Sequence, residues 1–254
     1  MKSKIIVPTF LILYILVALV FPVFADPADD ALQTLKDGNE NFVAGKMLHP
    51  NSTPQRVQET SSGQKPYAIV LTCSDSRVAP EVIFDAGIGD IFVVRDAGNI
   101  ADPAITGSIE YAVGHLHAPL VVVMGHTKCG AVGAAVAGGT AGGSIDYILG
   151  KINPAVKTAK SRNPGMRGDL FTNEVSKINV ANVVSEIIAD STEITEAIHK
   201  SEVKVIGAVY DVSDGRVSWL EISNEQPKEA PKEQAKDQSK DPLSEKKPPA
   251  KKEH

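Results

Sequence analysis

Two apolar runs, each followed by a short stretch that holds one of the chain's only two cysteines, set the tightest limit on how these 254 residues fold. Tyr67-Ala-Ile-Val-Leu-Thr72 leads into Cys73-Ser74-Asp75-Ser76-Arg77, and Leu120-Val-Val-Val-Met-Gly125 leads into His126-Thr127-Lys128-Cys129-Gly130. Short, unbroken apolar runs of this kind predict buried strands. In an open parallel sheet, reactive groups collect where the carboxyl ends of neighbouring strands meet. Two thiols and an imidazole delivered to that edge suit a zinc ion, at about 2.3 Å from sulfur and about 2.0 Å from nitrogen. Cys73, His126 and Cys129 are therefore the expected metal ligands. Three protein ligands leave one position for water, which is the pattern of a catalytic site.

Residue chemistry alone leaves two alternatives open. The cysteines of an exported chain can form a disulfide, and that bond would join the same two strand ends. A structural disulfide, however, has no use for an imidazole three residues before Cys129, nor for a carboxylate and guanidinium, Asp75 and Arg77, just after Cys73. A four-coordinate zinc store with Asp75 as permanent fourth ligand is the second alternative. His126 is preferred among the six histidines because it alone stands at a strand end one turn from a cysteine. His115 and His117 close a helix, His49 and His199 lie in or near exposed segments, and His254 is in the tail. Cys129 opens a predicted helix, where the dipole favours a thiolate. Asp75 and Arg77 alternate with Cys73 along an extended segment, so all three can face one cleft. Phosphate sites fail: Gly125-His-Thr-Lys-Cys-Gly130 has P-loop glycine spacing but is followed by Ala131-Val132, and no Gly-x-Gly-x-x-Gly follows a strand.

Cys-x-Asp-x-Arg followed some fifty residues on by His-x-x-Cys resembles the β-class carbonic anhydrases. Residues 84–99, FDAGIGDIFVVRDAGN, are similar to the family's segment between the motifs, and Gly207–Tyr210, Asp214-Gly215 and Val217–Leu220 to its last strand pair. The likeness spans residues 28–222, with Asp96 standing where the family more often has Asn or an apolar residue. The resemblance implies one zinc per subunit, and reversible hydration of CO2 to bicarbonate and a proton by attack of zinc-bound hydroxide. It implies that Arg77 holds Asp75 so that the carboxylate accepts a hydrogen bond from the zinc-bound water. In some family members the same aspartate becomes a fourth ligand in an inactive, closed state. Relatives that act on COS or CS2 share the ligands. The resemblance further implies a homodimer or dimer of dimers, with residues 28–46 and 103–113 as candidates for the contact.

Composition is that of an ordinary α/β domain, at 43% hydrophobic and 22% charged residues. Setting aside Lys2, Lys4 and the eight lysines and six acids of 226–254 leaves 16 basic and 25 acidic residues in 26–225. That acidic body argues against a nucleic-acid partner. Lys2 and Lys4 precede an apolar run, Ile5 to Phe24, which ends in Val23-Phe24-Ala25. This reads as an export signal over 1–25, cleaved after Ala25, giving a periplasmic or secreted protein with no stable membrane insertion. An uncleaved anchor is the alternative. The catalytic domain covers 26–225. Residues 226–254, rich in Lys, Glu and Pro, cannot bury enough surface to order themselves and read as a solvated tail.

The expected fold is α/β: a central, mostly parallel β-sheet with an antiparallel edge strand, flanked by helices and preceded by an N-terminal helical arm. Helices are expected at 28–46, 81–84, 103–117, from 130 onward, and at 144–160, 172–189 and 192–200. Further strands are expected at 91–94, at 203–210 and after a hairpin turn at Asp214-Gly215. Residues 47–66, with Pro50, Pro54 and Pro66, are expected to form a loop.

Overall fold

The two apolar runs become neighbours at the centre of one sheet. β1 (Ala68–Cys73) and β3 (Leu120–His126) are buried at every position, as strands covered on both faces must be. The computed structural model describes residues 26–220, so the expected leader at 1–25 and tail at 226–254 lie outside the described residues. β2 (Ile91–Asp96) pairs in parallel with the outer side of β1, and β4 (Lys204–Tyr210) pairs in parallel with β3. β5 (Val217–Leu220) runs antiparallel to β4, giving the order β2-β1-β3-β4-β5. Thr72 is level with Met124, and its buried hydroxyl donates to the Met124 carbonyl at 2.8 Å. Cys73 and His126 therefore leave the same end of adjacent strands.

Eight helices surround this sheet among the described residues: α1 (Pro27–Val43), α2 (Pro54–Glu59), α3 (Pro80–Ile83), α4 (Pro103–Gly114), α5 (Gly130–Ala137), α6 (Ile145–Arg162), α7 (Gly168–Asp190) and α8 (Thr192–His199). α4, α7 and α8 cover one face, around Ile109, Val180 and Ile194. α1 and α3 cover the other, where Ala31, Leu35 and Ile83 meet Val70 and Val122. A third apolar cluster lies beyond the strand ends. It gathers α5, α6 and the first half of α7 around both thiols.

Local chemistry sets the helix starts. Asp102 caps α4 as its Asp-Pro sequence indicates, one carboxylate oxygen accepting from the Ala104 and Ile105 N–H groups at 2.9 Å. α4 stops at Gly114 and not near His117, which takes a left-handed conformation with φ 54°. α7 begins at Gly168, four residues before its expected start. The segment 47–66 is not wholly loop, since Thr53 caps α2 through its hydroxyl. No residue of α2 is buried, so it carries no apolar stripe for a reader of the sequence to find.

α1 is held on its own sheet by a close approach and a shared amide. Gly38 meets α3, and a methyl group there would lie 1.9 Å from the Phe84 carbonyl oxygen. At the next residue, the buried Asn39 amide donates to the carbonyls of Ile83 at 3.2 Å and Gly215 at 2.9 Å. Its oxygen accepts from the Val217 N–H at 2.9 Å. One side chain thus ties α1 to α3 and to the β4–β5 hairpin.

Candidate metal centre

The strand ends bring together the three residues expected from the sequence. Cys73, at the end of β1, has its sulfur 4.0 Å from that of Cys129, which immediately precedes α5. With His126, at the end of β3, they offer ligand atoms that all lie within 4.8 Å of one another, and all three residues are buried. Two sulfurs bound tetrahedrally to one zinc stand about 3.8 Å apart, so the observed spacing fits an ion. Both cysteines are free thiols; a disulfide needs sulfurs at about 2.05 Å.

His126 is presented in the tautomer that a metal requires. Its Nδ1 lies 2.9 Å from the Thr127 carbonyl, which only accepts, so Nδ1 carries the proton. Nε2 is left as a bare lone pair, fully buried and with no hydrogen-bond partner among the described residues. Such an orphan costs about 1–3 kcal/mol unless something takes it up. A cation between the two sulfurs would do so. The Thr127 that anchors the ring is itself pinned, its hydroxyl donating to Asp211 and accepting from the Val212 N–H, both at 3.1 Å.

The thiols are also set up for a cation. A hydrogen bond from the Cys129 thiol, helped by the Gly98 N–H, pulls Cys73 well below the ordinary thiol value against the effect of burial. The same contact pushes Cys129 up, because a second thiolate would face the first in apolar surroundings. A divalent ion removes that conflict, since coordinated thiols lose their protons outright.

Beside the ligands, Asp75 and Arg77 form a two-pronged pair. Arg77 Nε and Nη2 donate to the two carboxylate oxygens at 2.9 and 2.7 Å, and the Arg77 N–H adds a third bond at 3.0 Å. The Arg77 guanidinium holds the Asp75 carboxyl well below the usual carboxylate range. One Asp75 oxygen stands 3.9 Å from His126 Nε2. All five residues singled out by the motifs therefore converge at one strand edge.

A carbonic anhydrase family profile matches residues 68–217. "Carbonic anhydrase 2" of Mycobacterium tuberculosis is 42% identical over 190 residues, which cover 73% of this chain and 89% of that protein. A tetrameric β-carbonic anhydrase from Sordaria macrospora superposes with a TM-score of 0.62 at 26% identity, covering 75% of this chain and 97% of that one. The chain belongs to the β-carbonic anhydrase family. The carbonic anhydrase of Mycolicibacterium smegmatis is similar at 41% over 192 residues, covering 74% of this chain and 90% of that protein. The β-carbonic anhydrase CafA of Aspergillus fumigatus superposes with a TM-score of 0.62 at 27% identity, over 77% of this chain and 91% of that one. Membership makes the chain an enzyme of the carbonic anhydrase type, acting on CO2.

In this β-carbonic anhydrase, several groups around the motifs carry no signal in sequence. Arg95, one charged residue closing the apolar run of β2, donates to the Cys73 carbonyl at 3.1 and 3.0 Å and to the Asp75 carbonyl at 2.8 Å. It clamps the whole Cys-x-Asp turn from the side. The Gly98 N–H donates to the Cys73 sulfur at 3.3 Å. That position favours glycine because φ is +81°, and a methyl group there would also press on the end of the Ile152 side chain at 2.7 Å. Lys128, between His126 and Cys129, adopts φ +55°, a strained choice for a side chain of its size.

Asp96, the departure from family habit, accepts from the Ile100 N–H at 3.0 Å. Burial, opposed by that bond and aided by the charges of Asp102 and Cys73, pushes its carboxyl up to about 7. The folded chain therefore binds this proton more tightly than the unfolded one. The contribution of this carboxyl to stability falls as pH rises from about 4 to about 7 and is flat above, because only the folded form still holds the proton in that window. Asp96→Asn keeps the acceptor and loses the charge. Relative to wild type it is expected to gain about 1–2 kcal/mol at pH 8 and nothing at pH 4, a figure discounted for the carboxyl's partial exposure. Urea midpoints of both proteins from pH 4 to 8 check this, and a constant difference across the range would remove Asp96 as the cause.

Proposed function

We propose that the mature chain hydrates CO2 reversibly to bicarbonate and a proton, with one zinc per subunit held by Cys73, His126 and Cys129. The observation that carries this reading is the buried, unpartnered His126 Nε2 within 4.8 Å of two sulfurs. When bound, zinc supplies hydroxide near neutral pH by lowering the pKa of a water from about 15.7 to about 7, and hydroxide is the nucleophile towards CO2.

The chain's own residues do the positioning. Asp75, kept ionised by Arg77, is an acceptor only. It would accept a hydrogen bond from the attacking water or hydroxide and so turn that oxygen's lone pair towards substrate. Arg95 fixes the backbone on which Asp75 sits. For Asp75 to become a fourth ligand in a closed, inactive state, its two Arg77 side-chain bonds have to break. The reading further takes the enzyme to be exported behind residues 1–25, to work in the periplasm or outside the cell, and to assemble as a homodimer or dimer of dimers. The tetrameric relative supports an assembly of copies. Among the described residues no helix is long and apolar enough to cross a membrane.

The test is stopped-flow CO2 hydration against pH on the mature protein, with zinc quantified in the same samples. Turnover that tracks zinc content supports the reading. A fully zinc-loaded protein with no turnover at any pH would instead indicate a zinc store. Asp75→Asn is expected to keep its zinc and lose about 10–100-fold in kcat, the scale of loss when a group contacting a metal's ligands is removed.

A further inference from the structure

We propose that Asn173, on α7, is a positioning residue for the Asp75–Arg77 pair, acting through the backbone of Lys128. The inference starts from the strained backbone between two ligands. Lys128 takes φ +55° although it is exposed and its side chain has no packing reason to sit there. Strain of this kind persists where surrounding contacts over-determine it, and it concentrates at working sites. Two contacts hold the Lys128 peptide in this conformation. The Lys128 N–H donates to Asn173 Oδ1 at 3.1 Å, and the Lys128 carbonyl accepts from Arg77 Nη2 at 3.2 Å. That same Nη2 donates to Asp75 Oδ2 at 2.7 Å, and Asp75 Oδ2 faces His126 Nε2 at 3.9 Å. A continuous path thus runs from α7 to the carboxylate beside the metal ligands.

Without the Asn173 acceptor, the Lys128 peptide loses the partner that holds its left-handed turn. Its carbonyl then no longer anchors the far side of the guanidinium, and Arg77 orients Asp75 less well. α7 is suited to the task because it is also fixed to the loop after β2, which holds no candidate ligand itself but reaches one. Six residues further on, Asn179 Nδ2 donates to the Gly98 carbonyl at 3.0 Å, in the loop whose N–H reaches the Cys73 sulfur. Asn173 and Asn179 each hold backbone that borders the site.

The proposal rests on the reading of Asp75 and Arg77 given above, so its test has an arm that needs no turnover. In the zinc-loaded wild-type chain, hydrogen exchange of the Lys128 amide is expected to be slowed at least about 10-fold relative to an unprotected chain. Asn173→Ala removes the acceptor at a helical site that favours alanine, and is expected to release that amide while leaving Val123, in the sheet, protected. Asn173→Asp retains an acceptor and is expected to restore protection. In the hydration assay, Asn173→Ala is expected to keep wild-type zinc and KM, and to lose about 5–10-fold in kcat, as for one lost neutral hydrogen bond. Asn173→Asp should recover most of it. A Lys128 amide that exchanges freely in wild type, or an Asn173→Ala protein with wild-type kcat, overturns the proposal. A zinc-loaded wild type that never turns over instead sinks the functional reading, and the exchange data still decide whether Asn173 holds the turn.

Discussion

Cys73→Ser and His126→Ala are each expected to lose bound zinc and CO2 hydration together. A serine hydroxyl does not ionise near neutral pH as a thiol does, so Cys73→Ser removes a charged ligand and leaves a neutral donor. His126→Ala removes the one buried lone pair that faces both sulfurs. Either change leaves two protein ligands, fewer than zinc sites of either type employ. Zinc below about a tenth of an equivalent and turnover down at least about 10³-fold are the expected values, because the nucleophile itself depends on the ion. Elemental analysis and stopped-flow hydration on the same preparation check both. Near-native circular dichroism would show that the fold survives, as expected for sites at strand ends and not in mid-sheet. Full turnover from a metal-free variant would end the zinc account.

The second large effect is structural, and its sign opposes ordinary helix propensity. Within α1, Gly38→Ala taken alone would stabilise the helix by about 1 kcal/mol. The methyl group, however, would sit 1.9 Å from the Phe84 carbonyl oxygen and 2.6 Å from its carbon. These are backbone atoms, so no rotamer change relieves the clash. α1 must lift, and with it go the burial of Leu35 and the three hydrogen bonds of Asn39. Overpacking of this kind costs about 1–3 kcal/mol and sometimes more, and weakened Asn39 bonds add to it. A net loss of about 3 kcal/mol is expected. Gly133→Ala in α5, where nothing lies within 4 Å of the new methyl, is the control and should be neutral or slightly stabilising. If Gly38→Ala melts higher than wild type, the packing of α1 on α3 is not as described.

These two cases mark what one sequence discloses. The candidate ligands are legible because each sits at or within three residues of the end of an unbroken apolar run, and strand ends in a parallel sheet are where chemistry gathers. The cap at Asp102 and the turn at Asp214-Gly215 are legible because they depend on residues a few positions apart. Gly38 shows the limit: read locally it is a weak point in a helix, and only the carbonyl of Phe84 explains it. Arg95 and Asn173 are invisible for the same reason. Each serves the site through a carbonyl or an N–H some 20–45 residues away, and backbone groups carry no residue identity to match. α2 escapes notice because a helix with no buried residue has no periodicity.

Because β1 and β3 are buried at every residue, apolar alternation cannot tell a correct pairing from one slipped by a single position. A slip of one turns each side chain to the opposite face and carries Cys73 away from His126 and Cys129. Only the aligned arrangement assembles all three donors, so any ion they bind weights the populations by its full affinity. The ion would then proofread strand alignment at the heart of the sheet, rejecting a mispaired chain that hydrophobicity alone would accept.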